Sequence, residues 1–256
     1  MRTLLETTNE LEAMLKLQVS PIGMKLYEKK ETMESVPRVR RPKHIHTMDQ
    51  IVAQAARLNW TVGITAEDLI ADQCRFVVGL GEENKEWHAG AHMKGVWYAT
   101  LEDATKHQGA MHTVPRGQYK ALVAAPLRKW TGNVEDPLGV PDIALFYASP
   151  GAMMYFINGL QWKNYQNFEW GVVGESSCAD SWGRALKTGK PSLAIPCFAE
   201  RRFGGVLDHE MLMALKPEDI NRSLDGMQAL SRNGLRYPFP QYGIQMDVRE
   251  GMSASY

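Results

Sequence analysis

Two uninterrupted apolar runs, YKALVAAPL from Tyr119 and DIALFY from Asp142, constrain this chain most. Each has strand length and no polar alternation, as expected of a strand covered on both faces. The stretch between them, WTGNVEDPLGVP, is too rich in glycine and proline for a helix, so the two read as neighbouring buried strands. Ser149 and Pro150 then supply an N-cap and a preorganised first position for a helix through GAMMYFINGLQW. PSLAIPC reads as a strand that delivers Cys197 to its carboxyl end, and Ile22 to Tyr27 offers a further strand. The expected fold is α/β or α+β. A mixed sheet is covered by helices in one large domain, 1–256, and residues 234–256 form an extended C-terminal arm.

Capping boxes mark where helices should begin, because an alcohol followed three residues later by an acid or amide satisfies orphan amides. Thr7 with Glu10 opens the first, and Thr47 with Gln50 the second. Behind the second, Met48, Ile51, Val52, Ala55 and Leu58 repeat at helical spacing as far as Asn59. Thr65 with Asp68 opens a third through TAEDLIADQCRFVVGLG, with Cys74 in its middle and Gly81 as its stop. Ser177 with Asp180 caps a short helix ending at Gly189. DHEMLMAL and PEDINRSLDGMQAL read as the last helices.

With 256 residues and 44% apolar content, the chain can bury a core without covalent staples. Lysine plus arginine balances aspartate plus glutamate at 29 each, so no basic excess marks a nucleic-acid binder. No apolar run approaches the roughly 20 residues that span a bilayer, and MRTLLETTNELEAMLKL is amphipathic rather than signal-like. The expectation is a cytoplasmic protein with reduced thiols, a small-molecule substrate, and neither nucleic acid nor membrane as partner. Whether it forms a homo-oligomer is left open.

The three cysteines, Cys74, Cys178 and Cys197, are odd in number, far apart and free of any CxxC pair. Such a set looks neither disulfide-stapled nor zinc-fingered. Cys178 falls in the first turn of its helix, where unpaired amides favour a thiolate, and Cys197 ends a strand, where open sheets tend to place ligands. Three convergent thiolates without a fourth would suit a [4Fe-4S] cluster with one iron free for substrate. Against this stands the plain alternative that cysteine is often a small buried hydrophobe. His44 with His46, and His88 with His92, give a weaker metal reading, since the glycines of WHAGAHMKG disfavour a helical pair. Trp87, Trp97, Trp130, Trp162, Trp170 and Trp182, with Tyr155, Tyr165 and Phe168, would mostly be core, with some left to line a pocket.

The segments PIGMKLYE, ADQCRFVVGLG, YKALVAAPL, DIALFYASPGAMMYFINGLQW and SSCADSWGRALKTGKPSLAIPCFAERRFGGVLDHEMLMAL, in that order, resemble the domain of unknown function family 169. They span most of Pro21 to Leu215. The resemblance implies that the three cysteines match positions where similar proteins carry cysteine, which favours a shared site. Two departures bear on it. HIHTMDQ has His46, Thr47 or Met48 where similar proteins often carry a further cysteine, and Ala199 and Glu200 stand where they often carry Gly-Asp.

The favoured expectation is therefore an iron–sulfur enzyme with Cys74, Cys178 and Cys197 as ligands. Its open iron would act as a Lewis acid on a small anionic or phenolic substrate, in lyase, dehydratase or hydroxyl-transfer chemistry. Arg201 or Arg202 would clamp a carboxylate, and Glu200, Asp208 or Glu210 would serve as acid or base. Two alternatives remain. One is a metal-free binding protein with an anion site built from helix starts at Ser149 and Ser177 and the paired arginines. The other is a single-thiol catalyst with Cys178 as nucleophile.

Overall fold

In the computed structural model, which describes residues 2–70, 73–81, 85–115 and 117–241, one six-stranded sheet organises the chain. Its strands are β1 (Ile22–Tyr27), β2 (Val62–Thr65), β3 (Ala121–Pro126), β4 (Ile143–Ala148), β5 (Ser192–Ala194) and β6 (Met211–Leu215), in spatial order β2-β3-β1-β4-β6-β5. The helices among the described residues are α1 (Leu4–Leu15), α2 (Lys30–Glu34), α3 (Met48–Leu58), α4 (Gln73–Val77), α5 (Lys85–His88), α6 (Leu101–Ala110), α7 (Pro150–Gln161), α8 (Arg184–Thr188), α9 (Phe198–Gly204) and α10 (Pro217–Arg232). A π-helical turn, Ala179–Gly183, runs into α8.

The helix-covered sheet is as expected, but every named pairing in it is antiparallel rather than mixed. Nor are the two long apolar strands neighbours, because β1 lies between them, pairing Ile22–Tyr27 with Pro126–Ala121 on one side and Ile22–Met24 with Leu145–Ile143 on the other. A run that is apolar on both faces carries little register information, so the pattern could not reveal the intruder.

The alternation of strand side chains separates two cores. Met24, Ile64, Leu122, Leu145, Tyr147 and Leu212 meet α3, α4, the π turn and α8 on one face. Tyr27, Val123, Phe146, Met213 and Leu215 meet α1, α7 and α10 on the other. Helices on both faces explain why β3 and β4 are buried at every position. On α3, Met48, Ile51, Val52 and Ala55 supply the buried stripe, each large side chain contributing about 1.5–3 kcal/mol. The α7–α10 crossing is closer than side chains allow. A Cβ on Gly226 would overlap the carbonyl of Gly159, and Ser223 Oγ donates to Phe156 O at 2.7 Å.

Local chemistry corrects several helix expectations. The first helix is capped by Thr3 with Glu6, whereas Thr7 is buried and its hydroxyl donates to Asn221 Oδ1 of α10 at 2.7 Å. The Thr47–Gln50 box and the left-handed stop at Asn59 form as expected. The Thr65–Asp68 box forms too, but closes only a single 3-10 turn. Arg41 shares the Asp68 carboxylate, and Ile70 N–H pairs with His46 O at 2.9 Å, drawing the chain into an extended bridge before α4. DHEMLMAL is not a helix; Met211–Leu215 forms β6 between β4 and β5. Its helix-favouring Met, Leu and Ala are overridden by burial on both faces. The helix from Pro217 is present as α10. Of the C-terminal arm, residues 234–241 are non-helical and pack on α7, where the Tyr237 and Ser149 hydroxyls meet at 2.9 Å. Residues 242–256 lie outside the described residues.

Candidate functional site

The chain from β5 turns at Cys197, which sits in extended backbone as the N-cap of α9. Cysteine here replaces the usual alcohol of a capping box. Its sulfur accepts from the Glu200 N–H, and the Glu200 carboxylate reaches back to the Cys197 N–H at 3.3 Å. Glu200 is only 1% exposed and collects two further donors, the Tyr147 hydroxyl at 2.8 Å and the Ser177 hydroxyl. Ser177 Oγ also accepts from the Cys197 N–H at 3.0 Å. Hence Ser177 is not the expected partner of Asp180, whose carboxylate instead accepts from Val173 N–H at 3.0 Å.

Cys178 lies in the first helical turn beside Ser177, as expected, and continues into the π turn, which is buried throughout. A π turn inside a helix is uncommon and is frequent at functional sites. Gly183 is required there, because a Cβ would overlap the His112 carbonyl and stand 2.8 Å from Val77 Cγ1 of α4. Cys74, on α4, directs its thiol at Asp49 Oδ1 over 3.8 Å, and Asp49 is buried in the first turn of α3.

Electrostatics ties these groups together. Burial raises the Tyr147 phenol well above its ordinary range, and Glu200, Asp49 and Cys197 raise it further, so three ionisable groups act on one hydroxyl. Burial, then Glu200 and Cys178, pushes the Cys197 thiol up. Glu200 is itself raised, its burial outweighing the hydrogen bonds from Ser177, Tyr147 and Cys197 and the more distant charge of Arg201. A buried path thus runs Cys74, Asp49, Tyr147, Glu200, Cys197, Cys178: hydrogen bonds join Cys74 to Asp49 and Tyr147 through Glu200 to Cys197, while Asp49 acts on Tyr147 and Cys178 on Cys197 through charge. Glu175 borders it, accepting from the Phe198 and Ala199 N–H groups at 3.1 and 3.3 Å and so capping α9.

The three cysteines are buried thiols rather than disulfide halves. Reduced, desolvated thiols are chemically suited to a soft metal or an iron–sulfur cluster. They do not form a closed ligand set as they stand. Among the described residues, no three His, Cys, Asp or Glu side chains are placed to hold a metal ion. What the arrangement offers directly is a carboxyl and a thiol that both hold their protons more tightly than usual, with Tyr147 and Ser177 fixing the carboxyl.

The other expected residues lie elsewhere. Arg201 donates to Pro196 O at 3.2 Å and Leu207 O at 2.7 Å and pairs at 3.4 Å with Asp208, whose side chain is fully exposed. It braces the loop between α9 and β6. Arg202 lies 5.6 Å from the ring centres of both Phe198 and Phe203. Glu210 is buried, accepting from Leu207 N–H at 2.7 Å. Ser149 starts a helix on the opposite face of the sheet from Ser177, so the two helix starts do not converge. His46 Nδ1 lies 2.6 Å from His44 O, and His88 and His92 both pack on Trp87. Trp87, Trp130, Trp182 and Tyr155 are buried and Phe168 packs against the core. Trp97, Trp162, Trp170 and Tyr165 are exposed. At the departure in HIHTMDQ, Thr47 is the cap and Met48 is core.

Asp49 and Tyr147 escaped the sequence reading. The signal for Tyr147 was a lone hydroxyl at the end of an apolar strand, which demands a partner when buried. Asp49 was indistinguishable from an ordinary first-turn acid.

No curated protein and no solved structure matches the chain. One family model does, that of the family described as DUF169, uncharacterised ArCR, and it aligns with residues 10–226. The match runs from α1 into α10 and takes in every strand and all six residues of the buried path. The chain therefore belongs to the domain of unknown function family 169.

Proposed function

We propose that the chain is an iron–sulfur enzyme in which Cys74, Cys178 and Cys197 hold a [4Fe-4S] cluster, and that it acts on a small anionic or phenolic molecule. The observation that carries this reading is the gathering of three buried thiols with Glu200 and Asp49 over one face of the sheet. Five acids and thiols share that region, and the charge of Arg201 acts on Glu200 less than its burial or its hydrogen bonds do. Such a set either keeps all its protons or holds a positive centre. The cluster, when bound, would supply a Lewis-acidic iron. Cys74 would then give up its contact with Asp49. Glu200 carries the proton to be delivered or accepted at its carboxyl, and Tyr147 and Ser177 orient it.

The test is iron and acid-labile sulfide content, with an absorption spectrum, after anaerobic purification of wild type and of Cys74→Ala, Cys178→Ala and Cys197→Ala. About four irons per chain, lost in each variant, supports the proposal. A colourless, iron-free wild type that resists chemical reconstitution sinks it. That result would leave a second reading, an acid–thiol centre built on Glu200 and Cys197, favoured by the hydrogen bonds that Glu200 accepts from Tyr147, Ser177 and Cys197.

A further inference from the structure

A second site lies at the β2 edge of the sheet. There a cavity of about 670 Å³ is lined by Arg38, Arg40, Trp60, Lys129, Asp136 and Leu138, among others. Three cations converge on it with one carboxylate, and among the described residues none of the three forms an ion pair. Their proximity shows in Lys129, whose ammonium is lowered by burial and then by the charges of Arg40 and Arg38. Like charges are held together at a cost, so the fold must fix them there.

It does so residue by residue. Arg40 is pinned at the sheet edge by its N–H on Thr61 O at 2.8 Å and its carbonyl on Gly63 N–H at 2.9 Å, and its guanidinium lies 4.5 Å from the Trp60 ring centre. Lys129 is tethered to Asn59 O. Arg38 follows Pro37 in a tight turn closed by Val39 N–H on Val36 O at 3.2 Å, and its φ is +57°. Proline second and a positive φ third is the turn in which glycine normally takes the third position. An arginine there sacrifices backbone ease to set a guanidinium at the cavity mouth.

We propose that this cavity binds an organic phosphate. Two guanidiniums and an ammonium match a dianionic tetrahedral group, which can accept from all three, better than a single carboxylate. The volume far exceeds inorganic phosphate, and Trp60, Leu138, Pro37 and Pro137 provide apolar wall for an organic body. The site lies outside the thiol–carboxyl path and shares no residue with it.

Titration calorimetry with ADP and with ribose 5-phosphate, using adenosine and citrate as controls, tests the assignment on wild type, Arg38→Gly and Lys129→Met. Saturable binding of at least one phosphate compound is expected, weakened roughly tenfold or more in each variant. The melting temperature of Arg38→Gly should be no lower than that of wild type, since glycine relieves the turn; this separates lost binding from lost folding. The proposal is overturned if neither phosphate compound binds, if both variants bind like wild type, or if citrate binds as tightly as the phosphates.

Discussion

Replacing Glu200 separates the two halves of its role, because the carboxyl is both a hydrogen-bond acceptor and a buried ionisable group. In Glu200→Ala, the Tyr147 and Ser177 hydroxyls lose their acceptor in a dry environment, while the Cys197 N–H keeps Ser177 Oγ at 3.0 Å. Two orphaned donors at about 1–3 kcal/mol each, with about 1 kcal/mol more from the void left by the missing side chain, give an expected loss of roughly 3–7 kcal/mol. Glu200→Gln keeps one oxygen for Tyr147 and presents its amide to Ser177, so about one hydrogen bond is weakened and the loss should be roughly 1–2 kcal/mol. Urea unfolding followed by fluorescence measures both. The pH dependence adds a sign. The folded state raises the Glu200 carboxyl above the usual 4.5, so it retains a proton that the unfolded chain releases. Wild-type stability should therefore be fullest below pH 4.5, as far as this group is concerned, and fall as pH climbs toward the folded value. Glu200→Gln should lack that slope. If the glutamine variant is as damaged as the alanine, the site depends on the negative charge and the argument from burial is wrong.

Other consequences are more quickly stated. All three thiols should react slowly with alkylating reagents in the native protein and quickly in denaturant, because each is buried and Cys197 is pushed up by its surroundings; fast native labelling of Cys178 would revive the nucleophile reading. In Glu200→Gln, Cys197 should titrate at lower pH than in wild type, seen as faster alkylation at a fixed alkaline pH, since a neighbouring negative charge is gone. Gly226→Ala should cost about 1–3 kcal/mol or more by thermal melting, because the new methyl meets the Gly159 backbone rather than a movable side chain.

The sequence made the covered sheet legible because apolar runs and capping boxes are local signals. β3, β4 and α7 could be read from Ala121–Pro126, Ile143–Ala148 and the Ser149–Pro150 cap alone. What failed were choices made by distant partners. Met211–Leu215 has the composition of a helix and becomes a strand because β4 and β5 flank it. Thr3 with Glu6 and Thr7 with Glu10 have the same spacing, and the Thr7 hydroxyl is taken up by Asn221, more than two hundred residues away. The site divides likewise. Cys74, Cys178, Cys197 and Glu200 were visible as residues with chemistry to offer. The roles of Asp49, Tyr147 and Ser177 depend on α3, β4 and the π turn meeting over one face of the sheet, and no spacing encodes that.

The placement of Arg201 sharpens what the buried path implies. A site meant to hold ionised Glu200 and Cys197 would gain most from a guanidinium turned inward, and α9 carries two arginines directly after Glu200. Neither is used that way. Arg201 is spent on Pro196 O, Leu207 O and Asp208, and Arg202 lies against exposed phenylalanines. Even the α9 N–H groups at Phe198 and Ala199, the nearest source of positive dipole, are occupied by the Glu175 carboxylate. Among the described residues, neither arginine of α9 thus sets its guanidinium on the acids and thiols gathered here. On the iron–sulfur proposal, a positive centre bound there would lower the proton affinity of Glu200 and Cys197, which burial alone raises.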